Sequence, residues 1–367
     1  MHVGLLIYGS LAIVSGGFLY DRRLVEHLRA QGDRVEVISL PWRGYGRSLL
    51  DNLNPGLRRR LATAAFDVLL QDELAHPSCF ALNRRLRRRV AYPLVGIVHH
   101  LRCREPRPAW QNFGYRRVEQ GYLASLDAFI CVSRTTRRDV EDLVGTRRPL
   151  VVAPPGKDGL PGGLTPEAIS ARCRAPGPLQ IIFVGNLIPR KELHTLLAAL
   201  AKLPRDDWRL TVVVSLEMDA AYVGAVRGRI RKAGLADRVA LLGTLPPGDL
   251  AAWCAASHVL AVPSSYEGFG IVYLEGMQFG LPAIASTAGA AGELIRHGDN
   301  GWLVAPGDAG ALAQLLHRLL DDREWLRRLS LAARTSARGH ATWQESAAQA
   351  RAFLLGLAGS GRGSVQP

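Results

Sequence analysis

Several chemistries are excluded by what this chain does not contain. Its five cysteines, Cys79, Cys103, Cys131, Cys173 and Cys254, are odd in number and include no C-x-x-C pair. That argues against a disulfide framework or a zinc site and for a reducing, cytoplasmic compartment. No Asp-x-Asp, H-E-x-x-H, G-x-S-x-G or Walker sequence occurs, so none of the common metal-holding, serine-hydrolase or P-loop signatures applies. No uninterrupted apolar run spans a bilayer either. Residues 3–20 carry no formal charge, but they lack a basic leader and are broken by Gly4, Gly9, Ser10, Ser15, Gly16 and Gly17. They read as a strand, a loop and the start of a helix.

Lysine is missing from the first 150 residues, which hold 24 arginines against 14 carboxylates, a formal excess of ten within a chain total of +14. The densest runs are Arg58-Arg59-Arg60 and Arg84-Arg85-Leu86-Arg87-Arg88-Arg89. Such a field suits anionic lipid headgroups, an anionic acceptor or nucleic acid, and a solvated arginine face is the plainer alternative. Aromatic residues are not interleaved with the basic runs and no nucleic-acid module appears, so no nucleic-acid partner is expected.

At 367 residues, 48% hydrophobic and 21% charged, the chain is roughly twice a single-domain length, and two domains are expected. The first half alternates strands near 2–8, 34–40, 66–71, 93–98, 128–132 and 150–153 with helices near 18–31, 79–90, 113–126 and 135–144, the pattern of a doubly wound parallel sheet. Residues 153–178 are dense in proline and glycine and read as an interdomain linker. The second half repeats the scheme with strands near 180–184, 210–214, 239–242 and 258–262. Helices follow at 192–203, 309–320, 324–337 and 343–357, and the tail 359–367 is rich in glycine and serine and reads as disordered.

The most informative stretch is Ser264-Ser265-Tyr266-Glu267-Gly268-Phe269-Gly270-Ile271-Val272-Tyr273-Leu274-Glu275-Gly276. It lies where an apolar strand hands over to a helix, beyond the carboxyl end of the strand, where helix N–H groups offer an anion site. Glu267 falls in the turn and Glu275 about two turns into the helix, with Gly268 and Gly270 opening the backbone to a ligand. Two carboxylates around bare amides suit an elongated, polyhydroxylated phosphate ester; a capping Glu267 and a solvated Glu275 are the structural alternative. Arg190 and Lys191 stand at a helix start, where cations are disfavoured unless an anion intervenes. Gly16 and Gly17 lie in the loop after the first strand, which is not the G-x-G-x-x-G of a dinucleotide site. His99 and His100 close the strand near 93–98. Asp72, Glu73 and Glu105 also lie at strand ends, where local capping or ion pairing competes with an acceptor contact.

The 264–276 segment resembles the E-x7-E signature of the retaining family 4 glycosyltransferases with the GT-B fold. The likeness extends over Ile181-Ile182-Phe183-Val184-Gly185-Asn186-Leu187-Ile188-Pro189-Arg190-Lys191 and from Gly280-Leu281-Pro282 to Gly301-Trp302-Leu303-Val304. The resemblance implies two Rossmann-like domains facing a cleft: residues 1–160 on the acceptor side and 177–342 binding the nucleotide sugar, with the helix 343–357 packing back on the first. It implies a metal-independent hexosyltransferase without cofactor, moving a hexose from a nucleotide-diphosphate sugar to a cell-envelope, lipid-linked or small-molecule acceptor, be it sugar, lipid or polysaccharide, with possible peripheral contact with an anionic membrane. Catalytic roles would fall to His99 (or His100), Glu267, Arg190 and Lys191. Donor contacts would fall to Gly16, Gly17, Gly185, Gly243, Gly268, Phe269, Gly270 and Glu275. The sequence departs from the family where a Gly-Arg is usual five residues before the lysine: Asn186 stands there, and Arg190 is the candidate substitute. A GT-B epimerase or phosphorylase, or a basic adaptor without catalysis, remains the alternative.

Overall fold

The structure, a computed structural model, describes residues 1–360. The chain divides into two compact units, one of residues 1–155 with the terminal helix and the other Gly156–Thr342.

The first unit is built on six strands, β1 His2–Tyr8, β2 Arg34–Leu40, β3 Val68–Asp72, β4 Leu94–Val98, β5 Ala128–Cys131 and β6 Leu150–Val152. They form one sheet in the order β2-β1-β3-β4-β5-β6, parallel throughout. Its central strands β3 and β4 are buried at every residue, as expected of a parallel sheet covered on both faces. Chain direction across the sheet reverses between β1 and β3, so a topological switch point opens at their carboxyl ends. The helix Gly16–Ala30 starts there, capped by Ser15, whose hydroxyl accepts from the Phe18 amide. The terminal helix Trp343–Ser360 packs on that helix and belongs to this unit. Its Arg351 pairs with Asp33 at 2.6 Å.

The second unit has β7 Leu179–Asn186, β8 Trp208–Ser215, β9 Val239–Leu242, β10 Val259–Ala261, β11 Ala283–Ser286 and β12 Gly301–Val304. The order β12-β11-β10-β7-β8-β9 is the doubly wound Rossmann arrangement, with its switch point between β7 and β10. Trp208, Phe183, Tyr273 and the leucines of the helix Leu193–Leu200 fill its core.

Three expectations are corrected. The proline- and glycine-rich stretch 153–178 contains a helix, Pro166–Arg174, begun by a Thr165 cap and a proline in its first turn. There the proline marks a helix start. The basic helix expected over 79–90 is two short pieces, His76–Cys79 and Leu82–Leu86. The side-chain oxygen of Asn52 accepts from the amides of Ala81 and Leu82 at 2.8 and 2.9 Å, satisfying the donors that an interruption exposes. Of the tail, Gly359 and Ser360 end the terminal helix, and residues 361–367 lie outside the described residues.

Candidate active site

In the second unit the carboxyl ends of β7 and β10 bring together most of the residues singled out from sequence. Gly185 sits near the end of β7 with φ +150°, and the methylene stem of Lys191 lies over it. The chain then makes a single turn, Pro189–Lys191. Glu192 follows in left-handed geometry, φ 59°, the one non-glycine residue with positive φ among those described, and begins the helix Leu193–Leu200. Arg190 and Lys191 therefore precede the helix, in its approach turn.

Across from them β10 ends in the turn 262–270. The Lys191 ammonium is in contact with Glu267 Oε1, and Arg190 Nη1 lies 3.6 Å from Oε2. The Ser264 hydroxyl donates to Glu267 Oε1 at 2.6 Å, and Ser264 is itself held through its carbonyl by the Ser286 hydroxyl. Arg190 also donates to the Tyr266 carbonyl, and its own carbonyl accepts from the Ser265 amide at 2.8 Å. Burial alone would raise the Glu267 carboxyl, but the two cations override it and hold it at about 2. Burial likewise depresses Lys191, against the pull of Glu267. The pair is thus charged on both sides and largely buried, with Glu267 only 7% exposed. Removing either partner strands a buried charge.

Glycine is obligatory at two points around this turn. Gly270, φ +90°, has no room for a Cβ, which would stand 2.3 Å from the Tyr273 ring. Gly289, φ +79°, pairs with Glu267 as a β-bridge, and a Cβ there would stand 2.1 Å from the Glu267 carbonyl oxygen. Gly268 lies between Glu267 and Phe269 in the same turn. Phe269 is buried and its ring packs on His340 at 5.7 Å between centroids.

Glu275 is the fifth residue of the helix Ile271–Gln278, a little over one turn in and not two. Burial lifts its carboxyl to about 7, with no compensating cation. Gly159 presses on it so closely that a Cβ would lie 2.6 Å from Oε1. Gly243 is exposed, in open space after the edge strand β9, and the structure does not bring it to Glu267.

In the first unit, Gly16 and Gly17 open the helix Gly16–Ala30, and a Cβ on Gly17 would meet the His99 ring at 3.2 Å. Gly17 is therefore where the helix backbone packs against that imidazole. His99 Nε2 lies 3.2 Å from Asp21 Oδ1, and the His99 and His100 amides both donate to Glu73 Oε2. His100 Nε2 meets Glu105 Oε1 at 2.9 Å, and Arg107 holds the other oxygen of Glu105. Glu73 and Glu105 thus serve local roles, as does Asp72, which caps the turn after β3 by accepting from the Leu74 amide. Sequence reading assigned no role to Asp21, Ser264, Ser286 or Gly289. Asp21 was recoverable: it lies four residues after Gly17 on the same helix face.

Comparison with known proteins matches both units. Residues 167–336 match the family described as "Glycosyl transferases group 1", and residues 14–158 match "Glycosyltransferase Family 4". Among curated relatives, the MMP alpha-(1->4)-mannosyltransferase of Mycolicibacterium hassiacum is 31% identical over 71% of this chain and 64% of its own length. The glycogen synthase of Mycobacterium tuberculosis is 30% identical over 75% of this chain and 65% of its own. The chain thus spans less than two thirds of either. Among solved structures, the sucrose-phosphate synthase of Thermosynechococcus elongatus superposes with a TM-score of 0.80 at 23% identity, covering 98% of this chain and 99% of that one. Anabaena HepE in complex with UDP-glucose gives 0.75 at 21%, covering 97% and 100%. The chain is therefore related to the group 1 and family 4 glycosyltransferases and has their GT-B fold of two Rossmann-like units.

Proposed function

We propose that the protein is a retaining, metal-independent glycosyltransferase that moves a hexose from a nucleotide-diphosphate sugar to a sugar, lipid or polysaccharide acceptor. The observation that carries this reading is the convergence of Arg190 and Lys191 on Glu267 at the switch point between β7 and β10. Two cations fixed before reaction beside a helix start are placed to neutralise a departing diphosphate without reorganisation, the form of electrostatic stabilisation that contributes most in a water-poor site. Arg190 takes the place of the arginine that Asn186 lacks. Glu267 has a second use in this scheme. Held ionised, it accepts from sugar hydroxyls and faces the developing positive charge at the anomeric carbon. Glu275 accepts from the ribose hydroxyls, and the backbone of Gly268 and Gly270 lines the donor. His99 orients the sugar. The UDP-glucose named for the Anabaena structure supports a nucleotide-sugar donor, and a mannosyltransferase and a glycogen synthase among the relatives support hexosyl transfer to varied acceptors.

The partner on the acceptor side is read as an anionic membrane surface contacted peripherally. No helix among the described residues is long and apolar enough to cross a bilayer. Between residues 37 and 126 eleven arginines are exposed while Asp67 is the only exposed carboxylate. Trp110 and Phe113, 75% and 61% exposed, stand among them on one face of the helix Ala109–Leu123. Cations with interfacial aromatics suit acidic headgroups.

The test is thermal stability against a panel of nucleotide sugars. A specific donor at a hundred times its Kd stabilises the protein by about 2.7 kcal/mol. Glu267→Ala is expected to lower transfer at least about a hundredfold, some 3 kcal/mol of transition-state stabilisation. A panel in which neither a nucleotide sugar nor a free nucleoside diphosphate moves the melt sinks the proposal.

A further inference from the structure

The switch point of the first unit holds a buried polar cluster that donor binding does not explain. Asp21, from the helix Gly16–Ala30, and Asp72, at the end of β3, are both fully buried. Each has one carboxylate oxygen, Oδ2, without a hydrogen-bond partner. Their oxygens and a His99 ring nitrogen lie within 4.8 Å of one another. Glu73 approaches from the same turn, spending an oxygen on the His99 and His100 amides. Tyr20, the other titratable group facing the ring, stands edge-on at 5.5 Å and donates its hydroxyl to the Ala153 carbonyl. Three acids thus surround one imidazole. Its Nε2 is spent on Asp21, so that nitrogen has no lone pair to offer a metal. Its Nδ1 makes no hydrogen bond among the described residues and is not among the buried unsatisfied atoms.

We infer that Asp21 is a positioning residue: it holds His99 doubly protonated, with Nε2–H on its carboxylate and Nδ1–H turned outward, so that His99 meets its ligand as a hydrogen-bond donor and not as the base that takes the acceptor's proton. This rests on the reading above that His99 faces the donor sugar. Burial alone would strip the ring of charge, but Asp21, then Asp72 and Glu73, reverse it and lift His99 to about 10. Asp72 moves the opposite way from an ordinary aspartate, up to about 7, through burial and the neighbouring Asp21. The cluster therefore keeps both ring nitrogens protonated, and the raised Asp72 carboxyl can hold a further proton. An imidazolium has no free lone pair, so the acceptor proton has to go elsewhere, and the ring packs on the helix backbone at Gly17, where an added Cβ would lie 3.2 Å away.

The experiment is an NMR titration of the full chain with isotope-labelled histidine, His99 being one of ten and assigned by its loss in His99→Gln. In the wild type the His99 ring is expected to stay charged past pH ~9. In Asp21→Asn its midpoint is expected to fall at least two pH units, a hundredfold loss of proton affinity. Asp72→Asn gives a smaller fall and is the second variant should Asp21→Asn misfold. The rate follows the same proton: kcat falls above pH ~9 in the wild type and above pH ~7 in Asp21→Asn, where a base would make it rise. A His99 that titrates near pH 6.5 in the wild type, or is unmoved by either variant, overturns the inference. So does a stoichiometric divalent ion released by Asp21→Asn. A His99 that stays charged past pH ~9 while no nucleotide sugar binds instead overturns the donor-site reading and leaves the Asp21–His99 pair standing.

Discussion

Glu275 and Glu267 stand eight residues apart in one turn-and-helix segment, yet their surroundings push them in opposite directions. Glu267 is held near 2 by Lys191 and Arg190, whereas Glu275 is lifted to about 7 by burial alone. For Glu275 the folded value lies above the ~4.5 of an unfolded glutamate. Its contribution to stability is then complete below pH ~4.5 and is lost as pH rises through about 7. Near neutrality this group destabilises the ligand-free protein, and in the proposed function ribose hydroxyls would supply hydrogen bonds to it. Glu275→Gln is therefore expected to raise the urea-unfolding free energy at pH 8 by up to about 3 kcal/mol and to leave it nearly unchanged at pH 4. The same variant should weaken nucleotide-sugar affinity about tenfold or more, since a charged acceptor is worth ~1.5–3 kcal/mol. A variant no more stable at pH 8 would show that Glu275 is not isolated from compensating partners.

At the level of elements, the turn from β10 into the helix Ile271–Gln278 is shaped from outside itself. Gly289 belongs to the next loop, yet its missing side chain is what allows the Glu267 carbonyl to bridge to it and to accept from the Ala290 amide at 2.7 Å. Gly289→Ala places a Cβ at 2.1 Å from that oxygen in a left-handed backbone, so the strain must displace the Glu267 turn. Its expected signature is a loss of ~2–4 kcal/mol in unfolding free energy together with lost nucleotide-sugar stabilisation; Gly298→Ala, also left-handed but in open space, should cost stability and keep the ligand shift. This locates the boundary of what sequence reveals. Strands such as β2 and β9, continuous or alternating apolar runs between turn residues, are read directly from residue order. So is the E-x7-E spacing, because both carboxylates belong to one local segment. The Ser286–Ser264–Glu267 relay and the Asp21–His99 pair join segments 22 and 78 residues apart, and no local pattern encodes such a meeting. The split of the expected 79–90 helix has the same origin: Asn52, a distant side chain, satisfies the amides at the break.

For the molecule as a whole, the uneven charge distribution carries the remaining consequence. Opposite charges elsewhere in the chain do not cancel a local excess at distances beyond the screening length, so the arginines exposed between residues 37 and 126 act as a field of one sign. Arg85 and Arg47 lie on elements that pack around Asn52, and Tyr45 meets Tyr115 at 4.8 Å, joining this region to the helix Ala109–Leu123 that carries Trp110 and Phe113. Arg117 stacks on the Phe113 ring at 5.1 Å, so in the proposed membrane contact charge and apolar surface would meet a headgroup layer together. The full chain is expected to co-sediment with vesicles containing phosphatidylglycerol and not with phosphatidylcholine alone. Binding should fade between 0.1 and 1 M salt, as the screening length shrinks from about 10 to about 3 Å. Replacing Trp110 and Phe113 by serine together removes ~2–4 kcal/mol of apolar burial at the interface and should lower vesicle affinity at least tenfold, while leaving the nucleotide-sugar melting shift intact. Equal binding to neutral vesicles, or binding to single-stranded nucleic acid in preference to acidic lipid, would remove the membrane from the acceptor side of the reaction.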